Sequence, residues 1–225
     1  MSYKSVLGVV GALGLAAVTQ QAQAVTLQDL INNGTPVVAG DKIFSNFTTG
    51  GTLPASDITV NFLSSSGVQF TGNWNTLTPG ANSAVIGYTI SVSPTSGNTI
   101  VGANLFFGGQ VVVNNGAAFV GETLTDTTNN KDYSLQVFYD GPGGQADNLR
   151  ASVGIDPAVT TLRVIKSIDV AANGPNSFAA LNFVENTFVQ NTGGGGEQPG
   201  IPEPMSLALL PLGLAGLALR KKIAR

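Results

Sequence analysis

Apolar residues in the middle of this chain recur at every second position. Ile86, Tyr88, Ile90 and Val92 form one series, and Tyr133, Leu135, Val137 and Tyr139 form another, with small or polar residues between them. A period of two places one set of side chains on a single face of an extended strand, whereas an amphipathic helix would repeat every three or four residues. Further strand-like stretches are Ile43–Thr48, Ile58–Leu63, Val68–Thr71, Thr99–Phe107, Gln110–Val113, Ala118–Leu124, Thr161–Val170 and Phe178–Val189. They are separated by turn formers such as Thr49-Gly50-Gly51, Pro79-Gly80, Asn114-Asn115-Gly116 and Asn129-Asn130-Lys131-Asp132. Roughly eight to ten short strands at this spacing predict an all-β fold, a single β-sandwich of immunoglobulin-like or jelly-roll topology. Leu27–Asn32 is expected as a short helix capped by Thr26. Phe62, Phe70, Phe106, Phe138 and Phe183 are expected in the core.

The two ends carry different information. Lys4 precedes an apolar run from Val6 to Val18; Gln20 and Gln21 then restore polarity before Ala22-Gln23-Ala24. A short positive region, a short apolar core and small residues at Ala22 and Ala24 are what signal peptidase reads, which predicts a signal helix over residues 1–24 and a mature start at Val25. The last residues run Ile201-Pro202-Glu203-Pro204, then apolar from Met205 to Leu219, then Arg220-Lys221-Lys222-Ile223-Ala224-Arg225. The apolar segment gives about 22 Å of helix, short of the roughly 30 Å hydrocarbon core, and Pro211 interrupts it. Snorkelling of the basic side chains shortens the deficit. Arg220, Lys221, Lys222 and Arg225 should stay cytoplasmic, leaving Pro202, Glu203 and Pro204 on the outer side. The expected layout is a signal peptide (1–24), a β domain (25–190), a Gly-rich linker (191–200) and a tail (201–225) with its span at 205–219 and basic cluster at 220–225.

Box, span and basic cluster, in that order, resemble the PEP-CTERM sorting signal of bacterial exported proteins. The resemblance implies that an exosortase-like membrane enzyme recognises Pro202-Glu203-Pro204 and processes the tail. The body is also similar to a recurring domain of such proteins, through Gly40-Asp41-Lys42-Ile43-Phe44-Ser45-Asn46-Phe47, Val120-Gly121-Glu122-Thr123-Leu124 and Phe183-Val184-Glu185-Asn186-Thr187-Phe188. That second likeness implies a surface protein and brings no activity with it.

The chain holds no cysteine and no histidine. A domain expected outside the cytoplasm must therefore be stable without disulfides, and the commonest zinc and copper ligands are missing. Of 13 acidic and 10 basic residues, 12 and 5 lie between Val25 and Gly200, a net charge of −7 for the body. Such an acidic surface argues against nucleic acid as a partner.

Motifs for chemistry are sparse. Gly141-Pro142-Gly143-Gly144-Gln145-Ala146 fits a dinucleotide-binding spacing, but no helix pattern follows, so a loop is expected. Asp140 and Asp147, with Asp126 and Asp132, are oxygen donors of the kind calcium accepts in irregular loops. No resident cofactor is expected. Asp57, Glu122 and Glu185 are the candidate members of a two-carboxylate hydrolytic pair, otherwise water-facing strand residues. Asn73-Trp74-Asn75 sets the one tryptophan between amides, a candidate glycan contact or a core residue at a strand end. The reading that follows is a non-enzymatic exported protein of the cell surface or extracellular matrix, associated with exopolysaccharide after a transient stay in the inner membrane. A glycan- or calcium-binding adhesion module is the alternative, and a secreted carboxylate-dependent hydrolase the third.

Overall fold

The computed structural model describes residues 24–64, 66–77, 79–141 and 148–191. Residues 1–23 of the signal segment with Ala22, then Asp147, and residues 192–225 of the linker and tail with Pro202, Glu203, Pro204, Arg220, Lys221, Lys222 and Arg225 lie outside the described residues, whereas Ala24 is described and exposed.

Two antiparallel sheets pack face to face around one apolar core. The elements in chain order are β1 (Val25–Thr26), α1 (Leu27–Asn33), β2 (Val37–Ala39), β3 (Lys42–Gly51), a 3₁₀ turn (Ala55–Asp57), β4 (Ile58–Leu63), β5 (Gly67–Leu77) and β6 (Gly80–Val92). They continue with β7 (Thr99–Gly108), β8 (Val111–Val113), β9 (Gly116–Asp126), β10 (Lys131–Tyr139), β11 (Arg150–Val159), β12 (Thr161–Ala172) and β13 (Phe178–Asn191). One sheet has the order β1-β4-β5-β13-β7-β11, with β8 also paired to β13; the other runs β10-β9-β12-β6-β3-β2. From β5 onward the chain crosses repeatedly between the sheets, so neighbours within a sheet are distant in sequence. β13 is central, paired with β5 on one side and with β7 and β8 on the other.

The period-two series fall where the sequence predicts. Ile86, Tyr88, Ile90 and Val92 on β6 point inward, as do Tyr133, Leu135 and Val137 on β10, while Tyr139 is only half-buried. Burying one such side chain removes its apolar surface from water, worth about 1.5–3 kcal/mol for a Val, Leu, Ile or Phe. The expected helix is present as α1. Thr26 caps it, its Oγ1 accepting from the Asp29 amide at 3.1 Å, and Gly34 ends it with φ +61°, a conformation that lacks a steric penalty only for glycine.

Three phenylalanines depart from expectation. Phe106, Phe138 and Phe183 are half-buried on outer faces, because the inward phase belongs to Leu105 and Phe107 on β7 and to Val184 on β13. Phe106 and Phe183 lie side by side on paired strands, ring centroids 5.6 Å apart, and the Arg150 guanidinium sits 4.4 Å over the Phe106 ring. Glycine accounts for the gap they fill: a Cβ at Gly108 would stand 2.5 Å from the Phe183 ring. β2 and β11 are strands that sequence periodicity does not single out. In β11, the run Gly154-Ile155-Asp156-Pro157 breaks the alternation, and the pairing with β7 shifts between Gly154 and Val159.

Candidate functional site

Three polar residues occupy inward positions on three strands. On β12, Leu162, Val164, Lys166, Ile168 and Val170 are all buried at alternate positions, so Lys166 sits in an otherwise apolar row. On β9 the row is Ala118, Val120, Glu122, Leu124, and on β13 it is Val184, Asn186, Phe188. Lys166 and Glu122 are direct cross-strand partners within one sheet, while Asn186 faces them from the other.

These side chains meet in the interior. The Lys166 ammonium forms an ion pair with Glu122 Oε2, both side chains fully buried. The Asn186 amide nitrogen donates to Glu122 Oε1 at 2.7 Å and to the Asn104 carbonyl at 3.2 Å. The Tyr88 hydroxyl, from β6, donates to Asn186 Oδ1 at 3.2 Å. Both oxygens of one carboxylate are thus engaged, one by an amine and the other by an amide. Burial, against the pull of the Glu122 charge, lowers the Lys166 ammonium from the usual lysine value. Burial, together with the Glu122 charge, raises the Tyr88 phenol well above its usual value, so it stays a donor.

A second polar cluster lies further along β13. Lys42 Nζ contacts Gln190 Oε1 at 2.6 Å and Asp41 Oδ1 at 3.2 Å, and Asp41 Oδ2 accepts from Gln190 at 2.7 Å and Asn98 at 2.8 Å. Burial alone would raise the Asp41 carboxyl, yet the hydrogen bonds from Asn98 and Gln190 and the Lys42 charge hold it below the ordinary value. Burial lowers Lys42, opposed by Asp41.

The residues singled out from sequence fare differently. Trp74 is fully buried, its indole packed against Gly72, and its Nε1 has no hydrogen-bond partner among the described residues. It is a core residue and offers no exposed face for a sugar to stack on, a correction to its candidacy as a glycan contact. Glu122 does not face water, since its slot on β9 is inward. Glu185, next to Asn186, points to the opposite face and accepts from Gln69 at 3.2 Å. Asp57 is exposed at the 3₁₀ turn. A hydrolytic pair needs two carboxylates in one cleft, and these three share none.

Asp126 accepts from the amides of Thr128 and Asn129 and from the Asn129 side chain, bonds that close the β9–β10 turn and hold its carboxyl below the usual value, the Asn129 side chain contributing most. Asp132 is exposed, Asp140 is half-buried at the end of β10, and Asp147 lies outside the described residues. Among the described residues no group of three or more His, Cys, Asp or Glu is placed to hold a metal ion. The glycine-rich run after β10 lies, apart from Gly141, outside the described residues, and the next described element is strand β11. Among the described residues no helix follows β10 to offer the N-terminus that a dinucleotide requires.

Sequence periodicity can mark each of these three positions as inward, without showing that they meet. A lysine, a glutamate and an asparagine each stand in phase with flanking apolar residues, and an in-phase charge in a buried strand demands a partner.

No protein-family model matches the chain, and no curated protein matches it. Among solved structures, the enzymatically active domain of bacteriophage CBA120 tailspike protein 4 is similar over 66% of this chain, at 13% identity and a TM-score of 0.25. The match spans 19% of that chain. At such a TM-score the likeness carries no argument about fold or chemistry.

Proposed function

We propose that this chain is an exported, non-enzymatic β-sandwich protein of the cell surface or extracellular matrix, associated with exopolysaccharide and delivered by an exosortase-like system. The observation that carries the reading is the tail: a Pro-Glu-Pro box, a short apolar span and a terminal basic cluster, joined to the body through Gly193-Gly194-Gly195-Gly196. In this reading signal peptidase cuts after Ala24. Met205–Leu219 then holds the chain in the inner membrane while the enzyme reads Pro202, Glu203 and Pro204, and Arg220, Lys221, Lys222 and Arg225 stop transfer.

The body suits that role. β13, the strand that leads into the linker, pairs with β5 over Phe178–Thr187 and with β7 over Phe183–Asn191. A pull on the tail would load many ladder hydrogen bonds at once and not peel an edge strand. The strand orders β5-β13-β7-β11 and β10-β9-β12-β6 support a jelly roll over an immunoglobulin-like topology, with β1, β4, β3 and β2 widening the two sheets.

The test is fractionation of cells producing the wild type or Pro202→Ala/Glu203→Ala/Pro204→Ala. The reading expects the wild type outside the cytoplasmic membrane and the variant retained in it. Equal membrane retention of both would make the tail a plain anchor and overturn the sorting role.

A further inference from the structure

Lys166, Glu122, Asn186 and Tyr88 have the parts of an amide-forming site. We propose that Lys166 and Asn186 become joined by an intramolecular isopeptide bond, formed autocatalytically through Glu122, that welds β12 of one sheet to β13 of the other. The inference is independent of how the chain is sorted.

Each component follows from the geometry. The nucleophile is the Lys166 amine, in an apolar row where burial favours its neutral form. The electrophile is the Asn186 side-chain carbon. Its oxygen already accepts from the Tyr88 hydroxyl at 3.2 Å, which places a donor where negative charge develops during attack. The leaving nitrogen rests 2.7 Å from Glu122 Oε1, and the amine rests on Oε2 of the same carboxylate. Amine and amide are therefore held within the span of one carboxyl group, the arrangement in which intramolecular reactions reach effective molarities of about 10⁵–10⁸ M. All four side chains are buried, so water does not compete for the acyl carbon.

The step balances without any co-reactant. Lys166 passes one proton to Glu122, and the free amine attacks Cγ of Asn186. Glu122 hands that proton to Nδ2 as the C–Nδ2 bond breaks, and ammonia leaves. The second proton lost by Nζ returns to the Glu122 carboxylate. A C–N bond replaces a C–N bond, and nothing is oxidised or reduced.

A simple ion pair gives no reason for this set. Hydrophobic side chains of similar volume would serve the core as well or better than a buried pair, and an ion pair alone needs neither the amide on the second oxygen nor the tyrosine on the amide. A covalent bond at this point also ties down the strand from which the linker departs. In a protein that lacks cysteine, it supplies the staple that a disulfide would otherwise provide.

The test is mass spectrometry of the purified full chain, denatured and cleaved after glutamate. Cleavage after Glu122, Glu185 and Glu197 separates Lys166, in 123–185, from Asn186, in 186–197. The proposal expects these two peptides to emerge as one branched species, lighter than their sum by one ammonia, about 17 Da. It expects them to be separate in Lys166→Arg and in Glu122→Gln. Tyr88→Phe, which keeps the ring in the core, should give a lower joined fraction at matched times after synthesis. Separate peptides from the wild type would overturn the proposal, including ammonia loss confined to 186–197, which would be cyclisation of Asn186 on its own backbone. A branched peptide persisting in Glu122→Gln would overturn the role of Glu122. The wild-type digest decides the bond itself even if a variant fails to fold.

Discussion

Gln190, near the end of β13, takes the Lys42 ammonium of the opposite sheet on its side-chain oxygen at 2.6 Å. Four positions earlier on the same strand, Asn186 meets the carboxylate that holds Lys166. The last strand of the sandwich is therefore tied across the core twice, each time by an amide facing a lysine–carboxylate pair. Hydrophobic contact packs the sheets, but it is non-directional. These two polar clusters fix how β13 sits against β3, β9 and β12.

The cluster of Lys42, Asp41 and Gln190 makes stability depend on acid. Asp41 is held below its ordinary carboxyl value in the folded protein. A group so lowered stabilises the fold above the unfolded value, about 3.9, and that contribution is lost as the pH falls through the folded value. The melting temperature of the wild type should drop as the pH goes below about 4, and Asp41→Asn should show a shallower drop together with a lower melting temperature at neutral pH. Thermal melts of both proteins across that range check it; parallel curves would dismiss the role given to Asp41.

Close backbone approach should make one glycine indispensable. A Cβ on Gly67 would stand 1.8 Å from the Asn186 carbonyl oxygen, backbone on backbone, whereas a Cβ on Gly154 would meet nothing within 4 Å. Gly67→Ala is expected to cost about 3 kcal/mol and Gly154→Ala less than about 0.5 kcal/mol, measured by denaturant unfolding. Equal effects at both sites would contradict the contact between β5 and β13.

Trp74 is the one tryptophan and is fully buried, so its fluorescence reports the core. The emission should be blue-shifted, weakly quenched by acrylamide, and unmoved by soluble polysaccharide or calcium. A ligand-dependent shift at constant fold would restore the sugar-contacting role that burial removes.

Removing a ring from the outer face should cost less than removing one from the core. Phe183→Ala removes a half-buried ring that packs on Gly108 and Phe106, so its cost should be well below the roughly 3–5 kcal/mol of a core Phe→Ala. Phe107→Ala, at a fully buried site, should reach that range. Chemical denaturation of the pair orders them, and the reverse order would mean the faces of β7 and β13 are misassigned.

Much of the sandwich is legible in sequence because a half-buried strand writes its own alternation. β6, β10 and β12 announce themselves, and Thr26 announces α1. β2 is too short to establish a period, and β11 is broken by Gly154 and Pro157, so neither stands out. Phe106 and Phe183 mislead because the neighbouring residues Phe107 and Val184 are apolar too, and only pairing decides which of two adjacent residues faces in. A similar ambiguity hides Glu122, whose neighbours Gly121 and Thr123 leave its face undefined until Val120 and Leu124 are read as the inward set. The meeting of Lys166, Glu122 and Asn186 is beyond sequence reading altogether. It depends on sheet order, which brings strands far apart in the chain to one point.

The proposed route is export followed by processing of both ends, and it is checked by the intact mass of the protein recovered from outside the cytoplasmic membrane. A chain beginning at Val25 and lacking the basic cluster Arg220–Arg225 is the predicted result. A chain that still carries Met1, or that keeps Arg225 and is found only in the membrane, would contradict it.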